Sequence, residues 1–196
     1  MDDEYWKQNH TRNGNDSNNW LEHSQQLNLA HTILYNRYKT GWKKVNAVVM
    51  KKGSATVKDF EEEGLFQEWE DSQLLWVSLM LMSYAVECRL KSLWIKKGNL
   101  LVKDGEYIGM GDSKNKKKEH NLPYLCGLVG VRLSSEENNL LLRLGKIATG
   151  IGRYPANLKW TNLQKEIDAG TNISWGPADD TLAYEFIEKI NKMLLE

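Results

Sequence analysis

Apolar residues recur at helical spacing over most of this chain. Leu27, Ala30, Leu34, Tyr38 and Trp42 follow one another at three- and four-residue steps, the stripe of an amphipathic helix. Ser17 or Asp16 suits its N-cap, Gly53 its C-cap, and Gly41 interrupts it and marks a bend. Residues 53–65 read as a connection. A second helix is expected from Gln67 to Lys97. It is apolar nearly all round between Leu74 and Val86, so other helices must surround it. Lys96 and Lys97 complement its dipole, and Gly98 ends it. Two short apolar runs then flank Asp104-Gly105, a pair that favours a tight hairpin. Residues 120–130, HNLPYLCGLVG, give a short helix, with Pro123 tolerated in its first turn. Ser134 and Glu137 form a capping box ahead of a helix that turns Leu140, Leu141, Leu144 and Ile147 inward and ends near Gly150-Ile151-Gly152. Residues 152–160 are turn-rich and extended. A last amphipathic helix carries Leu182, Phe186, Ile190, Met193 and Leu194. The pattern predicts a mainly α fold, an up-and-down helical bundle of about five helices with a small β-hairpin insertion. Residues 1–16, rich in Asn, Asp and Gly, are expected to be a poorly ordered arm, and 17–196 a single domain.

Composition narrows the possible partners. Lys and Arg number 26, as do Asp and Glu, so no global field draws the chain to nucleic acid or a membrane. Any such contact must come from a local patch. The longest apolar run, residues 74–86, is too short to span a bilayer, and the first residues lack the pattern of a signal peptide. A cytoplasmic location with no membrane contact is the expectation. Cys88 and Cys126 sit among apolar neighbours without zinc spacing, and read as buried free thiols. The eight Trp suit helix seams or a groove wall.

Three residues stand out for chemistry. Glu87 lies on the most apolar helix, where a carboxylate must be paired, hydrogen-bonded or protonated. It can pair locally with Lys91, four residues on, or hold a distant Arg or His. Arg153 follows a helix end in Gly-Arg-Tyr-Pro, and can bind phosphate or clamp onto Glu87. His120 precedes the short helix. Histidine titrates near neutrality and suits acid–base work, though a lone His before a helix is more often structural or merely exposed. Lys114, Lys116, Lys117 and Lys118 make a basic loop able to meet a phosphate backbone, or an ordinary solvated loop; Tyr154, like Tyr107, can add stacking. No phosphate-loop, dinucleotide, nucleophile-elbow or HExxH motif occurs, so neither metal nor cofactor is expected.

Four segments together, AVECRLKSLWIKKG, HNLPYL, LSSEENNLLLRL and GRYP, resemble the HEPN-like helical proteins of prokaryotes. The likeness spans roughly residues 66–156. It lies in an E-x-x-L-K segment on a long helix, a His-x-Leu helix start and an Arg-Tyr-Pro turn. The resemblance implies a helical bundle that acts as a homodimer or with a protein partner, in an RNA- or nucleotide-related system of the defence or toxin–antitoxin type. RNase members carry Arg, four to six residues, then His. No Arg here is followed by His at that spacing, and no His lies among the residues from Tyr154 to Trp160. The resemblance therefore implies a binding or regulatory module. The other reading is a divergent metal-independent RNase, with His120 supplying the imidazole, Arg153 on the phosphate and Glu87 orienting one of them.

Overall fold

The computed structural model describes residues 3–111, 120–149 and 175–196. It is mainly helical, with one two-stranded antiparallel hairpin. The long helices are α2 (Ser17–Lys52), α5 (Leu75–Lys96), α7 (Ser135–Thr149) and α8 (Pro177–Leu195). Shorter ones are α1 (Asp3–Gly14), α3 (Val57–Glu62), α4 (Phe66–Ser72) and α6 (Leu122–Leu128). Strands β1 (Val102–Lys103) and β2 (Glu106–Tyr107) pair Val102 with Tyr107 and Lys103 with Glu106.

Helix α5 is the axis of the fold. Leu79, Met82, Val86, Leu90 and Leu93 are buried against α6, α7 and α8, with Leu140, Leu144, Phe186 and Ile190 among their neighbours. A smaller cluster of Val45, Val48 and Phe60 joins the end of α2 to α3, with Leu65 and Trp69 packed on it. No helix among the described residues is long and apolar enough to cross a membrane.

Local signals set the boundaries. Asp16 caps α2 by accepting from the Asn18 N–H, and Gly53 ends it at φ 78°. Asp104 and Gly105 both take positive φ, 53° and 79°, as the tight hairpin turn requires. Ser134 and Glu137 form the expected reciprocal cap of α7.

Four local expectations differ from the structure. The helix expected over 67–97 is two helices. At the break the Gln73 and Leu74 N–H groups bond three residues back, and the Ser72 hydroxyl donates to the Trp69 carbonyl at 2.6 Å. A side chain thus takes part of the bonding that a continuous helix would use. Residues 3–14, expected to be a poorly ordered arm, form α1, which buries none of its own side chains. Polar clasps hold its end: Asn15 accepts from the Leu101 and Val102 N–H groups and donates to the Val102 carbonyl. Gly41 does not mark an interruption of α2. A side chain there would lie 2.4 Å from the Glu68 carbonyl oxygen, so its role is to let α4 cross closely.

The inward face of α2 also differs. It buries Ser24, His31, Tyr35, Val45 and Val48, while Trp42 is largely exposed. The rotation follows from hydrogen bonds to the α5 backbone. The Ser24 hydroxyl donates to the Ala85 carbonyl at 2.5 Å, and His31 Nδ1 lies 2.9 Å from the Ser78 carbonyl oxygen.

That geometry makes Nδ1 the protonated nitrogen of His31. Nε2 is buried and has no partner among the described residues. Burial lowers the His31 pKa from its ordinary value; Lys39 adds to this, while the Ser78 bond and Asp180 oppose it. The unfolded chain therefore takes up protons more readily than the fold below about pH 6.5. The stability His31 contributes is complete above that pH and is lost as pH falls toward the lowered folded value. Melting temperature is expected to drop between about pH 7 and pH 5. His31→Asn, which keeps a donor near Ser78 but cannot titrate, is expected to flatten that slope. Equal slopes for the two proteins would contradict this role.

Candidate functional site

Two of the three candidate residues meet. Glu87 projects from the middle of α5 and is only 5% exposed. His120 directly precedes Asn121, whose side chain caps α6 by accepting from the Tyr124 N–H at 3.0 Å. This cap, with Pro123 in the first turn, fixes where His120 leaves the backbone. Gly145 on α7 permits the approach, since a side chain there would lie 3.0 Å from the His120 carbonyl oxygen.

His120 Nδ1 lies 2.8 Å from Glu87 Oε2, and the Lys91 ammonium donates to Oε1 at 2.6 Å. Both readings of Glu87 made from the sequence therefore apply together, the local lysine and the distant histidine. Burial pushes the Glu87 pKa up, but the His120 hydrogen bond and Lys91 outweigh it, and the carboxyl ends below its ordinary value. With Glu87 ionised, its oxygen accepts from Nδ1–H, which fixes the orientation of the His120 ring. The His120 side chain is 36% exposed, with Tyr84 edge-on at 6.2 Å between centroids.

Lys91 is the residue whose role the sequence understates. Its ammonium sits 4.7 Å from the centre of the Trp20 ring and 5.4 Å from that of Tyr107. Burial opposes its charge, yet Glu87 and Tyr107 more than compensate, and its pKa ends raised. Through Lys91 the carboxylate is tied to α2 and to the hairpin; through His120 it is tied to α6.

Beside His120 lies a cleft of about 230 Å³, formed by the start of α6 and one face of α7. Leu122, Pro123, Leu141 and Leu142 supply apolar walls, and Lys146 and Thr149 polar ones. Neither Lys146 nor the cleft carried any signal in the sequence, because α7 and α6 meet there only in the folded chain. The arrangement offers an oriented imidazole and an ammonium to a small anionic group. Among the described residues, no group of three or more His, Cys, Asp or Glu side chains is placed to hold a metal ion.

Arg153, Tyr154, Lys114, Lys116, Lys117 and Lys118 lie outside the described residues. Cys88 and Cys126 are both free and buried, as expected, and burial pushes their thiols up to about 11 and about 12. At that elevation neither is a nucleophile near neutral pH.

Other polar contacts between distant residues carry no signal in the sequence. Arg89 donates to the Ser24 hydroxyl and to Asn191, joining α5 to α2 and α8. Arg143 grips Asp179 in a two-pronged ion pair. Asp180 accepts from the Tyr35 hydroxyl at 2.8 Å and from the Trp175 indole at 2.6 Å. Comparison with protein-family models, with curated proteins and with solved structures gives no match.

Proposed function

We propose that this chain is a HEPN-like helical binding or regulatory module. In this reading it works as a homodimer in an RNA- or nucleotide-related prokaryotic system of the defence or toxin–antitoxin type. One observation carries the reading: Glu87 and Lys91 of the E-x-x-L-K segment meet His120 of the His-x-Leu segment around a single buried carboxylate. Two segments that resemble one family thus contribute to one feature. The engagement of both Glu87 oxygens, Oε1 by Lys91 and Oε2 by His120, favours a structural clasp. The basic loop at Lys114, Lys116, Lys117 and Lys118, with Tyr154, is the proposed meeting point for an RNA backbone.

A second reading is a divergent metal-independent RNase. It is favoured by His120, whose Nδ1 is held by a buried carboxylate while the ring reaches a cleft that also presents Lys146. In that reading Nε2 exchanges a proton with the reacting hydroxyl, Glu87 orients the ring and Arg153 binds the phosphate.

A metal-free RNA cleavage assay separates the two, with wild type, His120→Ala and Arg153→Ala each shown folded by circular dichroism. The module reading expects all three to leave RNA intact. Cleavage by wild type that both variants lose would overturn it in favour of the enzyme. Sedimentation of the wild type as a monomer at every concentration would count against the homodimer.

A further inference from the structure

The second half of α2 has an unusual surface. Between residues 36 and 52 it carries Arg37, Lys39, Lys43, Lys44, Lys51 and Lys52 and no Asp or Glu, in a chain of zero net charge. Arg37, Lys44 and Lys52 are engaged by Asp71, Glu68 and Asp59 on the α3–α4 side. Lys39 and Lys43 are exposed and face no carboxylate within ion-pair distance among the described residues. Lys39 instead rests over the Tyr35 ring, 4.9 Å from its centre.

A file of aromatic rings runs along the same part of the helix. His31, Tyr35, Tyr38 and Trp42 follow one another with centroids 5.4, 5.6 and 6.5 Å apart and planes within 21°, 31° and 20° of each other. The file begins in the core at His31, is half-buried at Tyr38 and emerges at Trp42, which is 48% exposed. An indole this exposed, backed by a second ring and near ammonium groups that have no ion pair among the described residues, has no role in the core.

We propose that this face of α2, with Trp42 and Tyr38 as stacking surfaces and Lys39 and Lys43 on the phosphates, binds single-stranded nucleic acid. Nucleobases stack on aromatic faces with little sequence preference, and cations alongside meet the backbone. An acidic protein segment would satisfy the lysines but leave the ordered rings without a use. Asp180, beside Tyr35, would repel phosphate, so the backbone runs on the Lys39–Lys43 side. The choice of RNA over DNA rests on the reading under Proposed function; the binding face itself does not.

The test is fluorescence anisotropy with labelled oligoadenylate, its deoxy counterpart and polyglutamate as competitor, at low and raised salt. Wild type is expected to bind the strands. Trp42→Ala is expected to weaken binding about tenfold or more, and Trp42→Phe to retain most of it. Because Trp42 is exposed, both variants should fold, which circular dichroism checks. The pair Lys39→Gln and Lys43→Gln, together, is expected to weaken binding and to reduce the salt slope by roughly 0.7 for each phosphate that is no longer neutralised. His120→Ala is expected to bind as wild type does. No binding by wild type, or an unchanged Trp42→Ala, would overturn the proposal, as would polyglutamate competing as well as RNA. Weakened binding by His120→Ala with Trp42→Ala unaffected would place RNA at the cleft, overturning this inference but not the module reading. Tighter binding of the deoxy strand would leave the face standing and go against the RNA reading.

Discussion

Glu87→Ala is expected to cost the fold about 3–5 kcal/mol, the range for removing one partner of a buried ion pair. The loss has three parts. The Lys91 ammonium, with its side chain 11% exposed, keeps its charge between Trp20 and Tyr107 but is left without its carboxylate. His120 is deprived of the acceptor that fixes its ring. The space vacated inside α5 is only partly refilled. Glu87→Gln keeps the shape and an acceptor and should cost less. Replacing Glu87 and Lys91 together by Leu and Met should recover much of the stability, because an apolar pair needs no compensation for desolvation. Urea unfolding of the four proteins checks this. A Glu87→Ala protein within about 1 kcal/mol of wild type would mean that the clasp is solvated and structurally idle.

Gly41→Ala is expected to destabilise by about 1–3 kcal/mol, although alanine is the better helix former by about 1 kcal/mol. The added methyl would meet the Glu68 carbonyl oxygen at 2.4 Å, the Asp71 Cβ at 2.8 Å and the Ser72 nitrogen at 2.9 Å. Two of these are backbone atoms, so α4 as a whole must move away, loosening Arg37–Asp71 and Lys44–Glu68 as well. Thr40→Ala, one residue earlier on the exposed side, is the control. It removes only a bond from the hydroxyl to the Asn36 carbonyl and should be neutral or slightly stabilising. Thermal melts of both variants decide. Equal melting temperatures would show that α4 is free to shift.

The contrast between these residues shows what could be read from the chain. Signals that act within a few residues were legible. Asp104-Gly105 sets its own turn, Ser134 and Glu137 cap their own helix, and Asp16 and Gly53 bound α2. The Glu87–Lys91 pair was legible for the same reason, since one helical turn separates them. Glu87 and His120 are 33 residues apart, and their meeting depends on how α6 docks against α5 and α7. Spacing carries no record of that. Apolar count points to Leu27, Leu34 and Trp42 as the inward face of α2, whereas hydrogen bonds from Ser24 and His31 to α5 set the rotation. Gly41 illustrates the same limit. A glycine in a helix signals either an interruption or a close neighbour, and only the position of α4 distinguishes them.

A buried carboxylate thus fastens α5 to the hairpin, to α2 and to α6, and the exposed end of an aromatic file on α2 is left for a ligand. On this account the Glu87–His120 pair is a fastening, and RNA is held, not cut. The most direct measurement is to titrate labelled single-stranded RNA with the wild-type protein in metal-free buffer, follow anisotropy, and then run the same samples on a denaturing gel. The account predicts saturable binding with the strand recovered at full length. A strand recovered in pieces, or no binding at all, would contradict it.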